Sequence, residues 1–247
     1  VAASAGLPII DGDGMGRAFP ELQMVSMTMH HIAACPMVMA DEKGNSMLLN
    51  TVDNLSTEKF ARVITVEMGG AGLIALYPMN GAQAKKSILK GSMSLINAIG
   101  RIIHEEQSAN RNPADKLSRE LNGIRIFEGR VKDVERRTEG GFARGKCSIE
   151  GLSKDQGHEL RLHFQNEFLL AETPGGEPRA MTPDLICLLD LETGQPITTE
   201  QMRYGFRIIV FGLPCNPQWR SKHGLELVGP GYFGYDKEYR PIEELAS

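Results

Sequence analysis

The chain reads as an α/β layered N-terminal domain, lacking its first segment, followed by a mainly antiparallel, β-barrel-like C-terminal domain. Three observations predict this. Strand and helix patterns alternate up to about residue 120, the grammar of a layered α/β structure. From Ile124 onward the pattern changes to short strands separated by turn residues, as in a small antiparallel barrel or sandwich. A chain of 247 residues with 41% apolar content can bury a core and suits one large domain or two small ones. The expected division is 1–122 for the α/β domain, 123–224 for the barrel-like domain, and 225–247 for a tail packed back on the first.

Leu7 to Ile10 is expected as a short buried strand, from its two isoleucines and its glycine-rich exit. Pro20 suits the first turn of a helix and Glu21 its positive end. Cys35 to Met39 and Ser46 to Thr51 form strands around an Asp41-Glu-Lys-Gly-Asn45 hairpin turn. Ser56 caps a helix from Thr57 to Met68 that Gly69-Gly70 ends, with Phe60, Val63, Ile64 and the Glu67/Met68 turn on its apolar side. Gly72 to Tyr77 is a strand. Asn80-Gly81 then turns into the longest helical pattern, about Ala82 to Glu106, where Ala84, Ile88, Ser92, Leu95, Ile99 and Ile102 recur three or four residues apart. Pro113 opens a shorter helix that Asn122-Gly123 closes. The strands that follow are Ile124 to Val134, Phe142 to Ile149, Glu159 to Leu170, Leu185 to Leu189 and Phe206 to Phe211. Their turns fall at Glu139-Gly-Gly141 and Pro174-Gly-Gly176, with a connection over Thr198 to Tyr204. The tail is too rich in Gly, Pro and Tyr for a regular element.

A net charge of -4 and 27 unclustered Lys plus Arg leave no basic stripe for a phosphate backbone, so nucleic acid is not an expected partner. The four cysteines are far apart and suit a reducing cytosol. The longest apolar run, Ile32 to Ala40, has nine residues, and a spanning helix needs about 20. No membrane is expected.

The chemistry concentrates in Asp11-Gly-Asp-Gly-Met-Gly-Arg17. Alternating Asp and Gly at a strand end sets both carboxylates on one pleat face, and glycine permits a sharp turn or a close ligand. Asp11 and Asp13, joined by Glu21, could ligate a divalent cation through oxygen or hold a water for general-base attack. The competing reading is an Asp-Gly turn that caps the next helix. Arg17 would orient an anionic or amide-like substrate as a planar donor, or form a salt bridge to Asp13. Gln165-Asn166-Glu167 interrupts the alternation of Leu162, Phe164 and Phe168, which places a polar side chain inward, either in a site between domains or in cross-strand bonds within the barrel.

Other features are set aside. His30, His31 and Cys35 do not make a zinc site, because Pro36 follows at once and no further ligand lies at the right spacing. Arg136-Arg137-Thr138 with Arg144 reads as a solvated hairpin edge, with an anion clamp as the alternative. Gly69-Gly-Ala-Gly72 precedes a strand and lacks Lys-Ser/Thr, so it is not a phosphate loop. His104 and His163 read as structural, and the twelve methionines as core filling. No Ser nucleophile elbow is visible.

The run Asp11-Gly-Asp-Gly-Met-Gly-Arg-Ala-Phe-Pro-Glu-Leu-Gln-Met24 resembles the signature of the S-methyl thiohydantoin desulfurase-like family, whose genes often accompany hydantoinase/oxoprolinase genes. Further matches are Ala40-Asp-Glu-Lys-Gly-Asn45, Tyr77-Pro-Met-Asn-Gly81, Asp133-Val-Glu-Arg-Arg-Thr138, Gln165-Asn-Glu167, Pro183-Asp-Leu-Ile186, Thr198-Thr-Glu200, Arg203-Tyr-Gly205 and Phe233-Gly-Tyr235, spread in one order over nearly the whole chain. The resemblance implies an α/β domain before a β-barrel-like one. It also implies a preceding segment with a glycine-rich loop, so the chain reads as beginning mid-domain with an upstream targeting signal left open. The implied activity is a hydrolase that releases methanethiol from an S-methyl thiohydantoin. Asp11, Asp13 and Glu21 are the catalytic candidates. Arg17, Gln23, Gln165, Asn166 and Glu167 are the substrate-binding ones. Two alternatives stand beside it: a non-catalytic partner of a hydantoinase/oxoprolinase-type protein, and a small-molecule binding protein. Homo-oligomerisation is left open.

Overall fold

The computed structural model describes residues 2–245; the last two positions of the expected tail lie outside them. After α1 (Ala2–Ala5) the chain is irregular, and Leu7, Ile9 and Ile10 are exposed. The strand expected there does not form: no neighbouring strand lies beside it, and an unpaired ladder leaves backbone groups unbonded. Pairing starts only at β1 (Gly12–Asp13). The helix expected at Pro20 is also absent. The Leu22 N–H donates instead to Glu58 Oε2 at 2.7 Å, a tertiary bond that holds the segment bent, and only one helical turn, α2 (Ser26–Met29), follows.

β2 (Met37–Ala40) and β3 (Ser46–Leu49) form the expected hairpin, its turn held by Asp41 Oδ1 accepting from Lys43 and Asn45 N–H. α3 (Asn54–Glu67) is capped by Asp53, which accepts from Ser56 N at 2.7 Å, so Ser56 is a capped residue and not the cap. Gly69 and Gly70, both at positive φ, end it as expected. β4 (Leu73–Ala75) completes an antiparallel sheet in the order β3-β2-β4. α3 packs Ala61 and Ile64 with Met68 against Met37 and Met39. Phe60 and Val63 face solvent, at 56% and 64% exposure, and the buried face carries Thr57 and Glu58 instead. Glu58 sets this orientation by serving Leu22 and ion-pairing Arg62.

The long helix expected over 82–106 is two helices. α4 (Gly81–Ser87) carries an Asn80/Gln83 capping box, β5 (Leu89–Lys90) pairs with β1, and α5 (Ser92–Ser108) restarts after Gly91 at φ +83°. Glycine enters that conformation without steric cost, and the strand pairing outweighs helical continuity. α6 (Ala114–Leu121) closes at Asn122 in the left-handed region, as its sequence implies.

The rest of the chain builds β6 (Ile124–Glu139), β7 (Phe142–Gly151), β8 (Glu159–Gln165), β9 (Glu167–Glu172), β10 (Pro178–Met181), β11 (Leu185–Asp190), β12 (Pro196–Ile197) and β13 (Arg207–Leu213). They form one eight-stranded antiparallel sheet in the order β10-β9-β8-β7-β6-β13-β11-β12. Its edge strands β10 and β12 do not pair with each other, so the expected barrel is not closed by hydrogen bonds among the described residues. The expected single strand from Glu159 to Leu170 is two, reversed at Asn166 (φ +56°) with Gln165 opposite Glu167. One sheet face buries Val131, Ile149, Leu160, Leu162, Ile208 and Val210. Leu189, Ile209 and Phe211 face the other way, onto Ile102 of α5 and Leu117 of α6. Each such fully buried Leu, Ile or Phe contributes about 1.5–3 kcal/mol, which fixes α5 against the sheet.

The tail is more regular than expected, with α7 (Lys222–Val228), a 3-10 turn at Pro230–Phe233 and α8 (Ile242–Leu245). Val228 joins Phe19, Met24 and Trp219 in one cluster, while Ile242 enters the sheet core and Leu245 meets Leu170 and Met181. The tail thus binds the first segment and the sheet alike. No helix among the described residues is long and apolar enough to cross a membrane.

Candidate functional site

The Asp11–Arg17 segment is fastened on three sides. Gly12 and Asp13 pair with Lys90 and Leu89, and a Cβ on Gly12 would stand 2.8 Å from the Leu89 carbonyl oxygen, so only glycine permits this approach. Behind it, Trp219 Nε1 donates to the Met15 carbonyl at 2.8 Å, with the indole fully buried and edge-on to Phe19. Arg17 reaches into the sheet. Its guanidinium donates to the carbonyls of Ala18 (3.0 Å), Phe168 (3.1 Å), Asp184 (2.5 Å) and Pro183 (3.4 Å). It therefore bridges the start of β9 to the approach to β11, and no salt bridge to Asp13 forms. Burial pulls the guanidinium below its ordinary value and the Glu167 charge opposes that pull.

The two aspartates have different surroundings. Asp11 is exposed and gives both oxygens to Ser94, Oδ1 to its N–H (3.0 Å) and Oδ2 to its hydroxyl (2.7 Å). These bonds hold its carboxyl below the ordinary aspartate value. Asp11 is a cap on the first turn of α5. Asp13 Oδ1 accepts from Met15 N (2.8 Å) and Gly16 N (2.6 Å), and nothing among the described residues donates to Oδ2. Between them the pair keeps one uncommitted oxygen, a poor match to a chelating cation site, and the described residues contain no group of three or more His, Cys, Asp or Glu arranged for a metal.

Asp13 lines a cleft of about 570 Å³, together with Arg17, Lys90 of β5, Leu95 and Ile96 of α5, Leu185 of β11, Leu213 at the end of β13, and Pro214 to Asn216 after it. Leu95 and Ile96 are exposed apolar residues of α5, and the cleft explains why this part of the helix stays apolar. A largely apolar hollow with a few polar groups suits a small heterocycle. Its cysteine, Cys215, has its thiol pushed up to about 12 by burial and by Asp184, so it remains protonated and is a poor nucleophile.

The other expected residues gather elsewhere. Glu21 Oε2 accepts from Gln23 Nε2 (2.5 Å) and the Tyr232 hydroxyl (2.7 Å), and Oε1 from Gln165 Nε2 (3.5 Å). This network ties the first segment, the tail and the β8–β9 tip. The buried Oε1 of Gln23 is left without a partner among the described residues. Asn166 exchanges bonds with Ala143, N–H to carbonyl and N–H to Oδ1, both 2.8 Å, and accepts from Thr199 Oγ1; it is a hairpin-tip brace. Glu167 is half-buried, and desolvation raises its carboxyl against the opposing Arg17 charge.

Sequence reasoning missed four contributors. Ser94, Trp219 and Tyr232 act through the contacts above. Asp184 is wholly buried and accepts from Cys215 N, Arg220 Nη2, Tyr239 Oη and Ile242 N at 2.8–3.1 Å, so it anchors both the loop after β13 and the tail. The only signal for Tyr232 was an aromatic pair set between glycines, Gly231-Tyr-Phe-Gly234.

A crystal structure of a protein from Chromobacterium violaceum, solved as a structural-genomics target, superposes with a TM-score of 0.74 over 98% of this chain and 68% of its own, at 24% sequence identity. That likeness is one of fold. No curated protein matches the chain. Two family models do: the S-Me-THD-like N-terminal domain over residues 1–51 and the S-Me-THD-like C-terminal domain over residues 52–242. The chain therefore belongs to the S-Me-THD-like family.

Proposed function

We propose that the chain hydrolyses an S-methyl thiohydantoin, with the cleft beside Asp13 as the substrate site. The observation that carries this reading is the carboxylate of Asp13 on the lining of an apolar hollow, with one oxygen fixed by the loop and the other uncommitted. Family membership supports this choice of reaction class. Asp13 takes a proton from water, whose oxygen attacks the ring carbon bearing the S-methyl group. The carbon–sulfur bond breaks and methanethiolate leaves with the proton from Asp13. The second water proton ends on the ring nitrogen, and the product is a hydantoin. Lys90 also lines the cleft and offsets charge that develops on the ring or the departing sulfur. Asp11 and Arg17 set the position of the loop. Glu21, Gln23, Gln165 and Tyr232 hold the tail and sheet together behind it. Four free cysteines suit a reducing cytosol as the place of action.

The test is release of free thiol from a panel of S-alkyl thiohydantoins. Turnover that Asp13→Asn removes supports the reading. Turnover indifferent to that substitution opposes it. A second reading, a non-catalytic partner of a hydantoinase/oxoprolinase-type protein, is favoured by the exposed apolar residues Val38, Leu48, Leu73 and Ile74 on the three-stranded sheet, since such patches mark interaction surfaces. Co-purification with that enzyme and no turnover on any thiohydantoin would select it.

A further inference from the structure

A second cleft, of about 510 Å³, lies over the outer ends of β6, β7 and β8, remote in its lining from Asp13. Arg136, Arg137, Arg144 and Lys146 line it, with His163, Tyr235 and the apolar Phe233. Most of these charges are already balanced. Lys146 pairs with Glu135 at 3.0 Å and Arg137 with Glu139 at 3.2 Å, while the His163 ring hydrogen-bonds Glu172 at 3.0 Å. Arg136 donates to the carbonyls of Thr199 and Met202 and has Glu200 as its neighbouring charge.

Arg144 is the exception. Among the described residues its side chain has no ion pair and no hydrogen bond, its Nε is buried without a partner, and its guanidinium lies 5.4 Å from the Phe142 ring centroid. Beside it, Tyr235 stands edge-on to His163 at 5.8 Å, its hydroxyl unpartnered among the described residues. Burial pushes that phenol up to about 12, so it remains a donor at neutral pH. A buried guanidinium N–H without an acceptor is costly, and a planar two-donor edge matches a carboxylate. One unbalanced cation calls for one negative charge, and the aromatic walls call for an apolar body behind it.

We propose that this cleft binds a small organic monoanion, a carboxylate on an apolar body, through the Arg144 guanidinium and the Tyr235 hydroxyl. The site is separate from the thiohydantoin reading and does not depend on it. The experiment is titration calorimetry on the full chain with phenylacetate, phenylacetamide and inorganic phosphate. Phenylacetate is expected to bind saturably with one site per chain. The neutral amide and phosphate should each bind at least about tenfold more weakly. Arg144→Gln should weaken phenylacetate by about tenfold or more, and Tyr235→Phe by a few-fold, as losses of one charge-assisted and one neutral hydrogen bond. Arg119→Gln, at an exposed position of α6 outside the cleft, should leave it unchanged. The proposal is overturned if phenylacetate does not saturate, if phosphate or the amide binds as tightly, or if Arg144→Gln binds like the parent. Should Arg144→Gln fail to fold, phenylglyoxal labelling of the unaltered chain decides. Phenylacetate must shield Arg144 and leave Arg119, outside the cleft, reactive, and equal labelling of Arg144 with and without it refutes the site.

Discussion

Replacing Arg17 by Met separates a strut from a substrate ligand. The guanidinium spends four of its donor contacts on backbone carbonyls, two of them the well-formed bonds to Phe168 at 3.1 Å and Asp184 at 2.5 Å. Methionine fills much of the space and satisfies none of them. Orphaning two buried carbonyls at about 1–3 kcal/mol each puts the gross loss near 2–6 kcal/mol. Because the thioether no longer has to carry a buried charge, a net destabilisation of about 3 kcal/mol is expected. Urea unfolding, with the free energy extrapolated to water, measures it directly. Arg17→Lys should recover less than half of the loss, since one ammonium cannot reproduce a planar guanidinium that spans four carbonyls. A methionine variant within about 0.5 kcal/mol of the parent that has lost thiol release would refute the reasoning and return Arg17 to the substrate.

Asp11→Ala should lower the melting temperature by removing the cap on Ser94 while thiol release persists; abolished turnover at unchanged stability would make Asp11 catalytic. Glu167 has its carboxyl raised by burial, so the folded state holds that proton more tightly than the unfolded state and stability falls as pH rises through the folded value. Glu167→Gln should accordingly match the parent below the ordinary glutamate value of 4.5 and exceed its stability near pH 8, as followed by denaturant unfolding across that range. An advantage confined to acid would contradict the sign.

The sequence was most legible where local chemistry decides. The Asp41–Asn45 turn, the Gly69-Gly70 stop, the Asn122 closure and the Gly140-Gly141 reversal all follow from side chains or glycines acting within a few residues. It was least legible where a distant partner decides. Leu22 gives its N–H to Glu58 and no helix starts at Pro20. Leu89-Lys90 pairs with Gly12-Asp13, and a helical period that runs through Ile88 and Ser92 is broken. Gln165-Asn-Glu167 looked like an interrupted strand because Phe164 and Phe168 flank it symmetrically, yet that symmetry is what a tight hairpin tip produces, with Phe164 opposite Phe168. The candidate site shows the same division. The Asp-Gly alternation marked the right loop, but which aspartate is a cap depended on Ser94, 83 residues away.

The most direct measurement compares Asp13→Asn with the parent, thiol release and melting temperature side by side. Asparagine keeps the Oδ1 acceptor for Met15 and Gly16, so the loop should hold and the melting temperature stay unchanged, while loss of the base should cut turnover by about 10²–10⁴-fold. Turnover within a few-fold of the parent, or a fall in stability that accounts for the lost turnover, would contradict a water-activating role for this carboxylate.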